Sequence, residues 1–114
     1  MSVLAPRAHG YLDYLTVVLF ALAPTVLGLT GLPAHVAYAL AVIHLLLTLV
    51  THFPLGVAKI VPLPAHGAIE LVVSIALVAL PWIAGFSADL TARWFYVVMG
   101  IVIFVVWLLS RYKA

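Results

Sequence analysis

The chain has 114 residues, of which 68% are hydrophobic and 7% are charged, and its formal net charge is +2. A soluble domain carries about 25% charged residues, so this composition excludes a soluble domain and indicates an integral membrane protein. The few charges stand mostly at the ends of apolar runs rather than on one basic face, which argues against nucleic acid as a partner. The absence of cysteine excludes disulfides, thiolate metal sites and thiol catalysis.

Four apolar segments each come close to the ~20 residues that a hydrocarbon core of about 30 Å requires. In chain order they cover residues 9–29, 34–52, 66–86 and 93–110. Turn-forming stretches separate them, such as GLTGLP after the first and GFSADLT after the third. Because backbone groups in lipid must be satisfied within their own segment, and no alternating pattern is visible, we predict transmembrane helices in a single domain over residues 1–114.

The chain also aligns with itself. At an offset of 57 residues, five positions coincide with residues of the same kind: His9, Gly10, Asp13, Pro24 and Gly28 with His66, Gly67, Glu70, Pro81 and Gly85. After a small difference in turn length, an offset of 59 aligns THF at 51–53 with SRY at 110–112. We therefore predict two tandem helical hairpins, about 8–53 and 65–112, with the second lying parallel to the first about a pseudo-two-fold along the membrane normal.

The basic residues are distributed unevenly between the two ends of these helices. On the side of both termini stand Arg7, Lys59, Arg111 and Lys113, whereas the other side has only Arg93, with Asp89 nearby. The positive-inside rule then predicts that both termini are cytoplasmic.

Three stretches carry a family resemblance: RAHGYLDY near the start, THFPLGVAKIVPLPAHGAIE at 51–70 and LPWIAGF at 80–86. With these stretches the chain resembles the bacterial SPW-repeat proteins, small four-helix membrane proteins built from two such hairpins. In place of the family's Ser-Pro-Trp the copies here read Ala23-Pro24-Thr25 and Leu80-Pro81-Trp82. The resemblance implies a bacterial cytoplasmic (inner) membrane and no established activity.

The chemistry must be sought in two His/carboxylate pairs, His9 with Asp13 and His66 with Glu70. Residues four apart share a helix face, so each imidazole can bond its own carboxylate one turn deeper. We expect the pairs to be structural and independent of each other. The alternative is that all four converge on the bundle axis and bind Zn, Mn or non-haem Fe, with Zn the first choice for four ligands.

Two further histidines are polar residues of the predicted spans. His44 is expected near the bilayer midplane, as a core residue bonded to Thr48, and His52 is an additional candidate ligand or proton donor at the end of the second span. Haem is disfavoured because Asp13 and Glu70 would face the apolar macrocycle. A proton or ion path through His44 would require an oligomer, since four helices enclose little of a channel.

The sequence therefore predicts a small structural or accessory protein, with the lipid bilayer and either further copies or other membrane subunits as partners. A metal- or cofactor-binding membrane protein using His9, Asp13, His66 and Glu70 is the alternative, and a proton- or ion-conducting oligomer is the third. No catalytic triad, phosphate-cradling loop or nucleotide fingerprint is visible, so the sequence does not indicate an enzyme.

Overall fold

The computed structural model describes residues 3–110 and is all-helical there, without a β-strand. Each of its four helices is long and apolar enough to cross a membrane, which confirms the predicted fold class at this level. The basic residues Arg111 and Lys113 lie outside the described residues. In chain order the helices are α1 (Pro6–Leu27), α2 (Gly31–Leu49), α3 (Leu63–Ile83) and α4 (Leu90–Leu109).

Every helix begins three residues earlier than the sequence predicted and ends one to three residues earlier. The apolar pattern indicates which residues can lie in the hydrocarbon core of a membrane. The first and last residues of a helix depend instead on the conformation and hydrogen bonding of the local backbone. Proline is favourable in a first helical turn because its missing N–H needs no partner, and α1 and α3 each have a proline there. Gly28 ends α1 with φ 68°, a left-handed conformation that glycine adopts without a Cβ clash.

Helix α1 packs against α2 and α3 packs against α4, so the chain forms two hairpins. A common core joins them, to which all four helices contribute. At the end far from the termini, the Tyr96 hydroxyl donates a 2.6 Å hydrogen bond to the Pro33 carbonyl, linking α4 to α2. The buried members of this core are Phe20, Ala37, Ala41, Leu77, Tyr96, Met99 and Ile103.

The outer surface is apolar and the interior contains polar groups, the reverse of a soluble protein. Val26 and Ile83, for example, are 73% and 79% exposed. The buried polar residues concentrate toward the end of the bundle where α1 and α3 begin and α2 and α4 finish. Buried ionisable groups in a membrane helix are costly and mark candidate functional sites, so this end of the molecule contains the candidate site.

Residues 50–62, between α2 and α3, fold back over the same end. The N–H groups of Val57 and Ala58 donate to the Leu49 carbonyl and satisfy the end of α2. Phe53 is buried, and the Tyr14 hydroxyl donates 2.8 Å to the Leu55 carbonyl, which ties the loop to α1. Gly10 permits this approach, because a Cβ there would lie 2.6 Å from the Phe53 ring.

Candidate metal centre

The four residues singled out by the sequence converge in the interior of the bundle. His9 and Asp13 come from α1, His66 and Glu70 come from α3, and none is more than 3% exposed. One ligand atom from each lies within 4.8 Å of the ligand atoms of all the others. We call these four residues the quartet.

Each imidazole of the quartet contacts both carboxylates through its Nε2 atom. His9 Nε2 lies 3.1 Å from Asp13 Oδ2 and 2.9 Å from Glu70 Oε2. His66 Nε2 lies 2.9 Å from Asp13 Oδ2 and 2.7 Å from Glu70 Oε1. Histidine and carboxylate therefore alternate around a ring with sides of 2.7 to 3.1 Å.

The expectation of two independent pairs is consequently wrong. The contacts between α1 and α3 are as short as those within each helix, so the two pairs form one site. The spacing of four residues specifies only contacts along one helix, and the contacts between helices follow from the way that the hairpins pack.

A hydroxyl group holds the other nitrogen of each imidazole. His9 Nδ1 lies 2.6 Å from Ser110 Oγ, and His66 Nδ1 lies 2.6 Å from Thr51 Oγ1. The Ser110 hydroxyl donates to the Val106 carbonyl and the Thr51 hydroxyl to the Leu47 carbonyl. These last two carbonyls are each four residues back in the preceding helix.

These hydrogen bonds place a hydrogen on the Nδ1 atom of both imidazoles. Because each hydroxyl has given its only hydrogen to a carbonyl, it accepts from the imidazole, and the Nδ1 atoms of His9 and His66 carry hydrogen. The Nε2 atoms are the ones directed at the centre of the quartet, where His66 Nε2 lies at hydrogen-bond distance, 2.7 Å, from Glu70 Oε1. Sequence reasoning did not select Thr51 and Ser110 as site residues, although the offset of 59 that aligns them was the signal that could have done so.

His44 also reaches the quartet, which the sequence did not predict. It lies in α2, five residues before the helix ends at Leu49, and its Nε2 is 3.5 Å from Asp13 Oδ1 and 3.7 Å from Glu70 Oε1. The expected bond to Thr48 is also different, since the Thr48 hydroxyl donates to the His44 carbonyl and not to its ring. The predicted span covered residues 34–52 and α2 covers Gly31–Leu49, so His44 lies nearer the end of the helix than the sequence predicted.

His52 does not join the site. It is exposed and lies beyond the end of α2, so it is not a residue of a span as the sequence analysis supposed. Together with Arg7 and Lys59 it lines an open groove of about 800 Å³ at the surface. The Phe53 ring lies between this groove and the quartet, with its centroid 6.0 Å from that of His66.

The donor chemistry of the quartet suits a divalent transition metal. Imidazole and carboxylate are ligands for Zn, Mn and Fe, and two carboxylates compensate the charge of a dication. Asp13 Oδ2 and Glu70 Oε2 are buried and accept no well-aligned hydrogen bond from the described residues. An imidazole nitrogen nevertheless lies within 3.1 Å of each, as expected for ligand atoms that share one ion.

Comparison of the chain with protein-family profiles, with curated proteins and with solved structures finds no match. The conclusion about function therefore depends on the residues of the site and on their geometry.

Proposed function

We propose that this chain is a multi-pass membrane protein that binds one divalent transition-metal ion between its two hairpins, with His9, Asp13, His66 and Glu70 as ligands. The observation that carries the proposal is the closed ring in which each imidazole Nε2 meets both carboxylates. Binding requires no rearrangement of the helices, because the four ligand atoms are already together.

The burial of the quartet supports this function. Taking a carboxylate out of water costs several kcal/mol unless a compensating charge lies beside it. Two carboxylates and two neutral imidazoles carry a charge of −2, which a dication cancels. The apolar surroundings would make the attraction between the ion and its ligands stronger than in water.

The hydroxyl groups behind the ring support it too. Ligand histidines commonly donate their second N–H to an oxygen atom, which sets the tautomer and the orientation of the ring. Ser110 and Thr51 provide this bond to His9 and His66, at 2.6 Å in both cases.

A second function is favoured by the same short distances. With both imidazoles protonated, the quartet is neutral without metal and acts as a polar clamp between the hairpins, because every side of the ring is at hydrogen-bond length. In that case the chain is a structural or accessory component of a larger membrane assembly. The two functions differ in whether metal stays with the purified protein.

The proposal includes the arrangement of the hairpins as parallel repeats. In its favour, α1 and α3 begin 57 residues apart, as His9 and His66 do. The Leu4 N–H donates to the Leu109 carbonyl, and the Val61 N–H donates to the Val50 carbonyl. The two bonds are equivalent in the two repeats, because the offset of 57 relates Leu4 to Val61 and the offset of 59 relates Val50 to Leu109. We also propose membership of the SPW-repeat proteins, location in a bacterial inner membrane and cytoplasmic termini.

Metal analysis tests the function. The protein, purified in detergent without chelator after equilibration with Zn²⁺, Mn²⁺ or Fe²⁺ and gel filtration, should retain about one ion per chain. The variants Asp13→Asn and His66→Gln should retain almost none. His35→Gln is the matched control, because His35 is an exposed histidine of α2. Wild-type protein that is folded and metal-free after all three equilibrations would refute the metal function and favour the clamp.

Cysteine labelling tests the topology. A membrane-impermeant thiol reagent added to intact cells should label Ser87→Cys and spare Ser2→Cys. The reverse pattern would refute the cytoplasmic placement of the termini.

A further inference from the structure

His44 is the one buried imidazole near the quartet that the proposed four-ligand site does not use. It is 8% exposed, and its Nε2 atom has no hydrogen-bond partner among residues 3–110. An unbonded nitrogen in the interior of a membrane protein costs free energy, so its position requires an explanation.

The unpartnered nitrogen of His44 is directed at the quartet. It lies 3.5 Å from Asp13 Oδ1 and 3.7 Å from Glu70 Oε1, too far for a hydrogen bond to either. Asp13 thus presents Oδ2 to the histidines of the ring and Oδ1 to His44. The 3.7 Å separation from Glu70 Oε1, an oxygen of the ring, is within the range for two ligands of one ion that do not bond each other.

The dimensions of the ring indicate more than four ligands. Around an ion with bonds of about 2.1 Å, neighbouring ligands at right angles are about 3.0 Å apart, whereas tetrahedral ligands are about 3.4 Å apart. The sides of the ring measure 2.7 to 3.1 Å and are closer to the right-angled value; Glu70 contributes two oxygens, Oε1 toward His66 and Oε2 toward His9. Ligands near right angles are typical of coordination numbers above four, so such an arrangement can include a further ligand.

We propose that His44 is a fifth protein ligand of this ion, and that it makes the site selective for Mn²⁺ or Fe²⁺ relative to a four-ligand Zn²⁺ site. The inference rests on the proposed function of the quartet and goes beyond it. Three imidazoles and two carboxylates suit a five- or six-coordinate ion that prefers nitrogen and oxygen, whereas Zn²⁺ is satisfied by four tetrahedral ligands.

The second hairpin has no equivalent of this histidine. At the offset of 59, the position of His44 corresponds to Ile103, which is a buried member of the apolar core. The proposed two-fold thus leaves the fifth ligand without a symmetric counterpart. We therefore choose His44→Ile for the test, because the equivalent position of α4, residue 103, is an isoleucine.

The test compares wild-type protein with His44→Ile, using His35→Ile on the same helix as the control. Cobalt(II) replaces the native ion as a probe, since a tetrahedral Co²⁺ site absorbs visible light more strongly than a five-coordinate one. Wild type and control should give the weaker spectrum and His44→Ile the stronger one. Removal of the fifth ligand should weaken Mn²⁺ binding by at least the roughly 10- to 100-fold that is typical of losing a group behind a ligand. Zn²⁺ binding should change much less.

Several outcomes would overturn the inference. A strong tetrahedral Co²⁺ spectrum in wild-type protein would contradict the inference. This result needs no variant, so the inference can be tested even if His44→Ile does not fold. An unchanged Co²⁺ spectrum and an unchanged ratio of Mn²⁺ to Zn²⁺ affinity in folded His44→Ile would also contradict the inference. If Asp13→Asn has lost the metal in the same experiment, the four-ligand function remains supported without His44. Wild-type protein that binds none of Mn²⁺, Zn²⁺ and Co²⁺ would refute the quartet's function and this inference together.

Discussion

The two ends of the bundle hold the same hairpins together by different means. At the end far from the termini, aromatic and aliphatic side chains such as Phe20, Leu77 and Tyr96 pack in the apolar core. At the other end, the contacts between hairpins are polar, as in His9 with Glu70 and His66 with Asp13. In lipid, apolar packing is available almost anywhere, whereas buried ionisable groups are costly. We therefore expect the function to depend on the end of the bundle that contains the buried ionisable residues.

The largest effect is expected from the histidines of the ring. His9→Asn or His66→Asn should each lower the free energy of unfolding of the metal-loaded protein by about 3 to 5 kcal/mol, because one partner of a buried charged cluster is removed. The double variant should lose little more than either single one, since both histidines serve one site. Thermal unfolding in detergent with added metal measures all three. Additive losses would mean that the two pairs contribute independently to stability in spite of the contacts between them.

A smaller effect is expected behind the ring. Thr51→Val removes the hydroxyl that accepts from His66 Nδ1 and should weaken metal binding about 10- to 100-fold while the protein remains folded. Thr16→Val is the control, because within residues 3–110 the Thr16 hydroxyl donates to a carbonyl of its own helix, that of Leu12, and to no histidine. Equilibrium metal titration compares the two. Equal affinities would mean that the hydroxyl bond has no part in binding.

The loop over the polar end provides a third test. Gly10→Ala should destabilise the protein by about 1 to 3 kcal/mol through overpacking, because the new methyl group would meet the Phe53 ring at 2.6 Å and the Leu55 side chain at 2.8 Å. Adding Phe53→Leu should recover part of this loss by removing the ring. Denaturation of the single and double variants measures how much stability the second substitution restores. If the double variant is no more stable than Gly10→Ala, the Phe53 ring does not cause the overpacking at position 10.

The smallest effect is expected at the apolar end. Tyr96→Phe keeps the aromatic ring and removes the hydroxyl that donates to the Pro33 carbonyl, so it should lower stability by about 0.5 to 1.5 kcal/mol. The amount of bound metal should stay at the wild-type value, since the site lies at the other end of the bundle. A change in metal content would contradict the separation between the two ends.

The sequence predicted the number and type of the elements because each apolar segment is about as long as a bilayer is thick. It also selected all four residues of the quartet, since charged and imidazole groups stand out in apolar helices. The convergence of His9 with Glu70 depends on side chains that meet across the two hairpins, and spacing along one helix contains no information about that. The approach of His44 to the quartet was missed for a simpler reason, because α2 begins and ends three residues earlier than the sequence predicted.

The central claim is that both hairpins contribute ligands to a single ion. X-ray absorption at the K-edge of the bound metal in purified protein tests it most directly. We predict nitrogen and oxygen neighbours at about 2.0 to 2.2 Å together with the outer-shell scattering of at least two imidazoles. His9→Asn and His66→Asn should each abolish or sharply reduce the bound metal and this signal. A wild-type spectrum with only one imidazole, or without any, would contradict the claim.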